Sequence, residues 1–200
     1  DKKNGKDSGL PFVGMENIAS ESMQLVGTIE IPETTSSSFE FDETHVLYGR
    51  LRPYLKKVLL PNFKGQCSTE VFCLKPSKVL LRGYLAYWLL NPSTAAAIEQ
   101  TSTGARMPRA NMNAILDFQF QLPPLPEQER IVAKLDAAFA EIDNEIRLCK
   151  QNIDNSNTLF NSQLDYIFNN KNLSKSKEWI KSLLKDLCNN FKAVIVDGPF

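Results

Sequence analysis

Two short stretches hold the side chains best suited to meet a polyanion. The first is GRLRPYLKK at 49–57, which groups Arg50, Arg52, Lys56 and Lys57 around one aromatic ring, Tyr54. Residues 48–64 contain no acid. Read as an extended segment, Arg50 and Arg52 share a face, because alternate side chains of a strand point the same way. Arginine forks can take both acceptors of a guanine edge, while lysines act as point contacts to phosphate. The second stretch is TSTGARMPRAN at 101–111. Thr101, Ser102 and Thr103 supply hydroxyls, Gly104 allows a close backbone approach, and Arg106 and Arg109 add charge. Asn111 carries the donor and acceptor that match an adenine edge. Either stretch alone also reads as an ordinary solvated loop; two of them in one domain favour double-stranded DNA as the partner.

Other chemistries lack their residues. An Asn/Asp-Pro-Pro-aromatic loop that would hold a flipped base is missing; the nearest string, Asp197-Gly-Pro-Phe200, lacks one proline and reads as a turn. STGARMPR lacks the second glycine and the lysine of a phosphate-binding loop. The lone histidine, His45, and four scattered cysteines (67, 73, 149, 188) offer no zinc spacing, no disulfide framework and no nucleophilic triad. His45 reads as structural or solvated. An Asp with a downstream Glu-x-Lys, as in a nuclease centre, is not visible. No metal and no cofactor is therefore expected on this chain. Net charge is zero, with 42% hydrophobic and 23% charged residues, which is ordinary globular composition. Apolar runs are too short for a membrane span, no signal peptide is visible, and the cysteine usage suits a reducing, cytoplasmic compartment. The chain begins without Met and ends at Asp-Gly-Pro-Phe, as a fragment of something longer would.

Positioning these loops falls to an α+β arrangement: a β-rich domain with small helices, then a long helix. Leu10–Ile18 (LPFVGMENI), His45–Tyr48, Val58–Leu60 and Gln66–Leu74 read as strands, and the polar run at 34–38 as a loop. Leu80–Asn91 has apolar residues at helical spacing and stops at Asn91-Pro92, with a second helix over roughly 92–101. Phe118, Phe120 and Leu122 alternate, which predicts a half-buried strand over 115–122. Then LPPLPEQERIVAKLDAAFAEIDNEIRLCK at 122–150 carries a proline stop straight into a helix. Pro126 fits the first turn, and Glu127 and Glu129 suit its positive end.

From there the apolar positions Ile131, Leu135, Ala138, Ile142, Ile146, Cys149 and Ile153 step by four, three, four, four, three and four, close to a coiled-coil seam. A looser seam continues through Phe160, Leu164 and Ile167 or Phe168, and the helix is expected to run from about 126 to about 169. Such a helix would be on the order of 65 Å long, more than its own domain can cover, so its seam calls for another helix. Segment 126–170 has eight acids against four bases, so the helix is acidic where the domain loops are basic. Residues 169–177 read as a polar linker, and 178–200 as the start of a further helix, strand and turn.

The string at 122–136 resembles the boundary motif of the DNA-specificity subunit of type I restriction–modification enzymes. There a proline pair and a Glu-Gln pair lead from a target recognition domain into a conserved spacer helix. LPFVGMENI, GRLRPYLKK, the YLAYWLLN helix at 84–91, the glycine-centred loop, and EWIKSLLKDLC with VIVDGPF at 178–200 agree with it. The resemblance implies two tandem recognition domains, each reading half of a split DNA site, with two long antiparallel helices as a ruler between them. It implies no catalysis by this chain: S-adenosylmethionine and ATP belong to separate modification (methyltransferase) and restriction subunits. On this reading residues 1–125 are most of one recognition domain, 126–170 the spacer helix, and 171–200 a linker and the start of a second domain. The segment before the first strand and the antiparallel partner helix would be missing, so such a fragment could form a homodimer through its seam. The DNA-contact candidates are Arg50, Arg52, Tyr54, Lys56, Lys57, Thr103, Arg106, Arg109 and Asn111. Two rivals stand beside this: the recognition module of a fused restriction–modification enzyme, and a coiled-coil scaffold that does not bind DNA.

Overall fold

In a computed structural model of the chain the described residues are 2–3, 9–32, 38–169 and 182. They fall into two units, 1–140 and 141–200, each taken by itself below. The expected linker and second-domain start at 171–200 lie outside the described residues, Ser182 excepted.

The first unit holds strands β1 (Lys2–Lys3), β2 (Phe12–Val13), β3 (Ser38–Phe41), β4 (Val46–Gly49), β5 (Val58–Leu59), β6 (Gly65–Ser68) and β7 (Val71–Leu74). Helices α1 (Arg82–Leu90), α2 (Pro92–Gln100) and α3 (Met112–Leu116) follow, and α4 begins at Leu125. One sheet has the order β1-β3-β6-β2, the other β5-β4-β7. Their topology follows from which faces can be buried. Every residue of β4 is buried, and its two faces serve different cores. Val46 and Tyr48 face Leu85, Ala86, Leu89 and Ile98 of the helices. Leu47 faces Val13, Phe41 and Cys67 of the first sheet. Val58 and Leu59 of β5 divide in the same way. The three-stranded sheet is thus the middle layer between helices and the other sheet, which explains why its strands read as continuous apolar runs. Each large side chain so buried contributes about 1.5–3 kcal/mol.

α1 and α2 meet at Asn91, whose side chain accepts from the Ser93 and Thr94 amides while Pro92 takes the first helical position. The strand expected over 115–122 is not formed. Asn111 caps α3, which occupies 112–116, and residues 117–124 pair with no strand among the described residues. The alternation was real but is a packing pattern: Phe120 lies 4.9 Å from the Trp88 ring and 5.9 Å from Tyr84, whereas Leu122 is exposed. The strand expected over 10–18 is likewise only Phe12–Val13, followed by a 3-10 turn at Met15–Asn17.

α4 runs Leu125–Asn169, close to the expected bounds. Its first turns belong to the first unit. Gln128 is fully buried there: its amide donates to the carbonyls of Val79 (2.9 Å) and Pro123 (2.8 Å), and its oxygen accepts from the Leu81 amide (2.8 Å). Gly83 of α1 lets Val132 approach to within 3.1 Å of where a Cβ would stand. Tyr87 donates to Asp136 and stacks on Phe139 at 5.7 Å. The seam therefore starts out against its own domain: Ile131 and Leu135 are half-buried and line a groove with Tyr84, Tyr87 and Trp88. Ala138 is already exposed.

In the second unit, residues 141–169 are helical, with Ile142, Ile146 and Ile153 at 50%, 47% and 61% exposure and Cys149 also exposed. No helix of the described residues is long and apolar enough to cross a membrane.

Candidate nucleic-acid interface

The two basic stretches, some fifty residues apart in the chain, lie side by side in space. Arg50 extends β4: its amide donates to the Glu70 carbonyl, and its carbonyl accepts from the Ala110 amide, each at 2.9 Å. Leu51 bridges to Arg109, and the Arg52 amide donates to the Pro108 carbonyl at 2.8 Å. Thr103 and Arg109 exchange both backbone hydrogen bonds at 3.1 and 3.0 Å, closing a small hairpin whose tip holds Arg106. Gly104 sits in the left-handed region at φ 96°, where a Cβ would also meet the Met107 carbonyl oxygen at 3.2 Å. Glycine is required there by the turn itself.

The extended reading of 49–57 is overturned. After Leu51 the chain turns into a 3-10 helix at Pro53–Leu55, flanked by Arg52 at φ 51° and Lys56 at φ 45°. Left-handed non-glycine residues cost on the order of 1–3 kcal/mol each and persist where surrounding structure holds them. Here buried Pro53 anchors the turn, and the Leu55 amide closes it onto Arg52 at 2.9 Å. Arg50 and Arg52 consequently do not share a strand face.

The candidates divide by what they already hold. Arg52, Thr103 and Arg106 are exposed, and neither arginine has an ion pair among the described residues. Tyr54 is 46% exposed. Lys56 pairs with Glu21 at 2.8 Å. Lys57 is already engaged: its ammonium donates to the Met15 carbonyl at 2.6 Å, and its stem lies over Gly49. Asn111 also works inside the fold, since its side-chain oxygen accepts from the Asn113 amide at 3.1 Å as the cap of α3.

Arg50 and Arg109 converge on one carboxylate that the sequence reading passed over. Glu70, in the β6–β7 turn, accepts from the Arg109 Nε–H at 2.9 and 3.0 Å through its two oxygens. Arg50 Nε lies 4.0 Å from the same group, and its guanidinium stands 5.3 Å over the Phe72 ring. A signal was available: Glu70 is the single acid in residues 44–98, a span holding eight lysines and arginines. His45 is structural, as expected, with Nδ1 2.8 Å from Asp42. Hydrogen bonds from Thr44, then from His45, hold the Asp42 carboxyl far below the usual carboxylate range. Cys67 and Cys73 are free thiols 3.1 Å apart; their mutual hydrogen bond and burial push Cys67 up, and the same bond lowers Cys73. No group of three or more His, Cys, Asp or Glu among the described residues could hold a metal ion.

The two loops therefore form a backbone-braced basic patch in which Arg50 and Arg109 meet at Glu70 while Arg52 and Arg106 stay exposed, a donor set suited to a polyanion bearing flat acceptor edges. Comparison with known proteins gives it a family. A family model described as the type I restriction modification DNA specificity domain matches residues 1–151. The EcoDI specificity subunit of a type I restriction enzyme from Escherichia coli is 30% identical over 109 residues, covering 54% of this chain and 24% of that protein. The EcoKI specificity subunit from Escherichia coli K12 is 27% identical over 151 residues, covering 70% of this chain and 31% of that protein. The chain thus spans 24% and 31% of the lengths of these two curated relatives. Among solved structures, the HsdS subunit from Thermoanaerobacter tengcongensis aligns with a TM-score of 0.61 at 20% identity, covering 82% of this chain and 46% of that one. A chain from work on complex assembly and conformational transition of the type I R-M system aligns with the same TM-score at 22% identity, covering 82% of this chain and 40% of its own. At these identities the structural likeness speaks for the fold.

Proposed function

The chain belongs to the type I restriction modification DNA specificity domain family, and from that premise we propose that it binds double-stranded DNA in a sequence-specific manner and sets the target of a type I restriction–modification complex. The observation that carries this reading is the backbone pairing of 50–52 with 108–110, which joins two distant basic loops and brings Arg50 and Arg109 to one carboxylate, Glu70. Exposed Arg52 and Arg106 are the phosphate contacts, and Arg109 and Arg50 the candidates for base edges. Lys57, being engaged within the fold, acts on DNA by holding its loop, while Asn111 spends its oxygen on the cap of α3 but stays exposed with its side-chain NH2 group as a donor.

The chain has no catalytic activity of its own in this proposal. Modification subunits carrying S-adenosylmethionine and a restriction subunit using ATP are its partners, in the cytoplasm. The exposed seam from Ile142 to Ile153 takes a second long helix, either from the same subunit or from a second copy in a homodimer. Fluorescence anisotropy with a duplex selected by the chain from a randomised library, and with an unrelated duplex, tests the DNA reading. Arg52→Ala with Arg106→Ala should weaken binding of cognate and unrelated duplexes alike, and unchanged binding of both defeats the assignment. Co-elution with a methyltransferase subunit tests the partner, and its absence with and without DNA removes that part. A scaffold without DNA function would give co-elution but protect no DNA sequence.

A further inference from the structure

Glu70 is anomalous on a surface meant for phosphate. A carboxylate there repels the ligand, and it stands alone among eight bases in residues 44–98. Its geometry supplies a reason. Both of its oxygens take the Nε–H of Arg109, so the carboxylate grips that guanidinium from the side rather than across its end. Arg109 Nη1 makes a longer 3.4 Å contact with the Met107 carbonyl, and Nη2 has no partner among the described residues. The end-on pair of amino groups thus keeps N–H donors that Glu70 does not take, a pair from which guanine O6 and N7 can accept. Backbone hydrogen bonds from Thr103 and the bridge to Leu51 fix the Arg109 main chain, so Glu70 removes the remaining side-chain freedom. Arg50 is placed by the same turn, through the Glu70 carbonyl and carboxylate.

We propose that Glu70 is a specificity-determining positioning residue: it presents the Arg109 guanidinium end-on, with Arg50 beside it, for reading a base edge in duplex DNA. The proposal rests on the DNA-binding reading above. It assigns base discrimination to the carboxylate–arginine pair, whereas Arg52 and Arg106 supply sequence-independent attraction.

Selection of binding sites from a randomised duplex library, using the full chain, tests it. Wild type, Glu70→Gln and Arg109→Lys are compared, with circular dichroism melting as the check on folding. Lysine keeps the charge of Arg109 but lacks its planar fork. Wild type should return a consensus. Glu70→Gln and Arg109→Lys should both lose selectivity at the same position or positions, with the preference of cognate over unrelated duplex falling on the order of tenfold. Affinity for unrelated duplex should hold or rise in Glu70→Gln, because an acid has left the surface. In the Arg109→Lys background, Glu70→Gln should change the consensus no further. Should Glu70→Gln not fold, Glu70→Asp, which withdraws the carboxylate by one methylene, takes the same test. An unchanged consensus in the Glu70 variant, relaxation at positions other than those of Arg109→Lys, or an equal loss for all duplexes overturns the proposal and leaves Glu70 as a tie between loops. Failure of wild type to select any consensus would instead remove the DNA-specificity reading on which it stands.

Discussion

Replacing Gln128 with alanine should unhook the long helix from its domain. The side chain is fully buried and makes three hydrogen bonds of 2.8–2.9 Å, to Val79, Leu81 and Pro123. Each bond contributes about 0.5–1.5 kcal/mol net, and a buried partner left unsatisfied costs about 1–3 kcal/mol. Water entering the vacated space would satisfy part of the loss, so about 3 kcal/mol is expected. For a unit of this size that corresponds to roughly 10 °C in Tm. Gln128→Glu separates hydrogen bonding from packing, since a carboxylate would face two carbonyl oxygens with no proton to offer. Its destabilisation should exceed that of alanine at pH 8. The neutral acid can donate once, so the folded state favours protonation: the stability is present at low pH and lost as pH rises. Differential scanning calorimetry of wild type and both variants measures this. A loss below about 2 °C for Gln128→Ala would refute the argument that these bonds anchor the helix.

Three further outcomes follow from the geometry. Arg52→Ala and Arg106→Ala should each lower the slope of log K against log salt by about 0.9, read by anisotropy titration across salt concentrations, while an unchanged slope would show that neither meets phosphate. Asp42→Asn should destabilise the fold at neutral pH. Because the folded-state carboxyl lies below its unfolded value, wild type loses that advantage as pH falls below about 4, so the two melting curves should converge in acid. Among the three described cysteines, iodoacetamide should label exposed Cys149 before buried Cys67 in a mass-spectrometric time course.

Residues 122–136 were legible in the sequence because their signals are local. Three prolines forbid continuation of the preceding chain, acids favour the first turn, and apolar spacing of three and four marks a helix. The α1–α2 pair was legible for the same reason, with Asn91-Pro92 serving as stop and start at once. Strands β4, β5 and β7 announced themselves as apolar runs of β-formers, whereas β6 (GQCS) carries no such run, and the stretch read over 66–74 divides at Thr69-Glu70 into β6 and β7. The family was legible too, since its boundary motif is one contiguous string.

Tertiary structure decided what those residues touch. Phe118 and Phe120 alternate with polar neighbours because both pack on the helical core, Phe120 against the Trp88 and Tyr84 rings, with no strand pairing among the described residues to sustain a ladder. Arg50 and Arg52 part company because buried Pro53 turns the chain, and Lys57 is claimed by the Met15 carbonyl. The pairing of Glu70 with Arg109 joins residues 39 positions apart, and no local pattern encodes a partner at that separation. Sequence by itself determined the inventory: basic loops, a β-rich α+β domain with small helices, and a proline-stopped helix. Which arginines are free and which are held by a carboxylate depended on loop closure across distant segments. That closure is set by the backbone hydrogen bonds between 50–52 and 108–110, which form only when the fold brings those segments together.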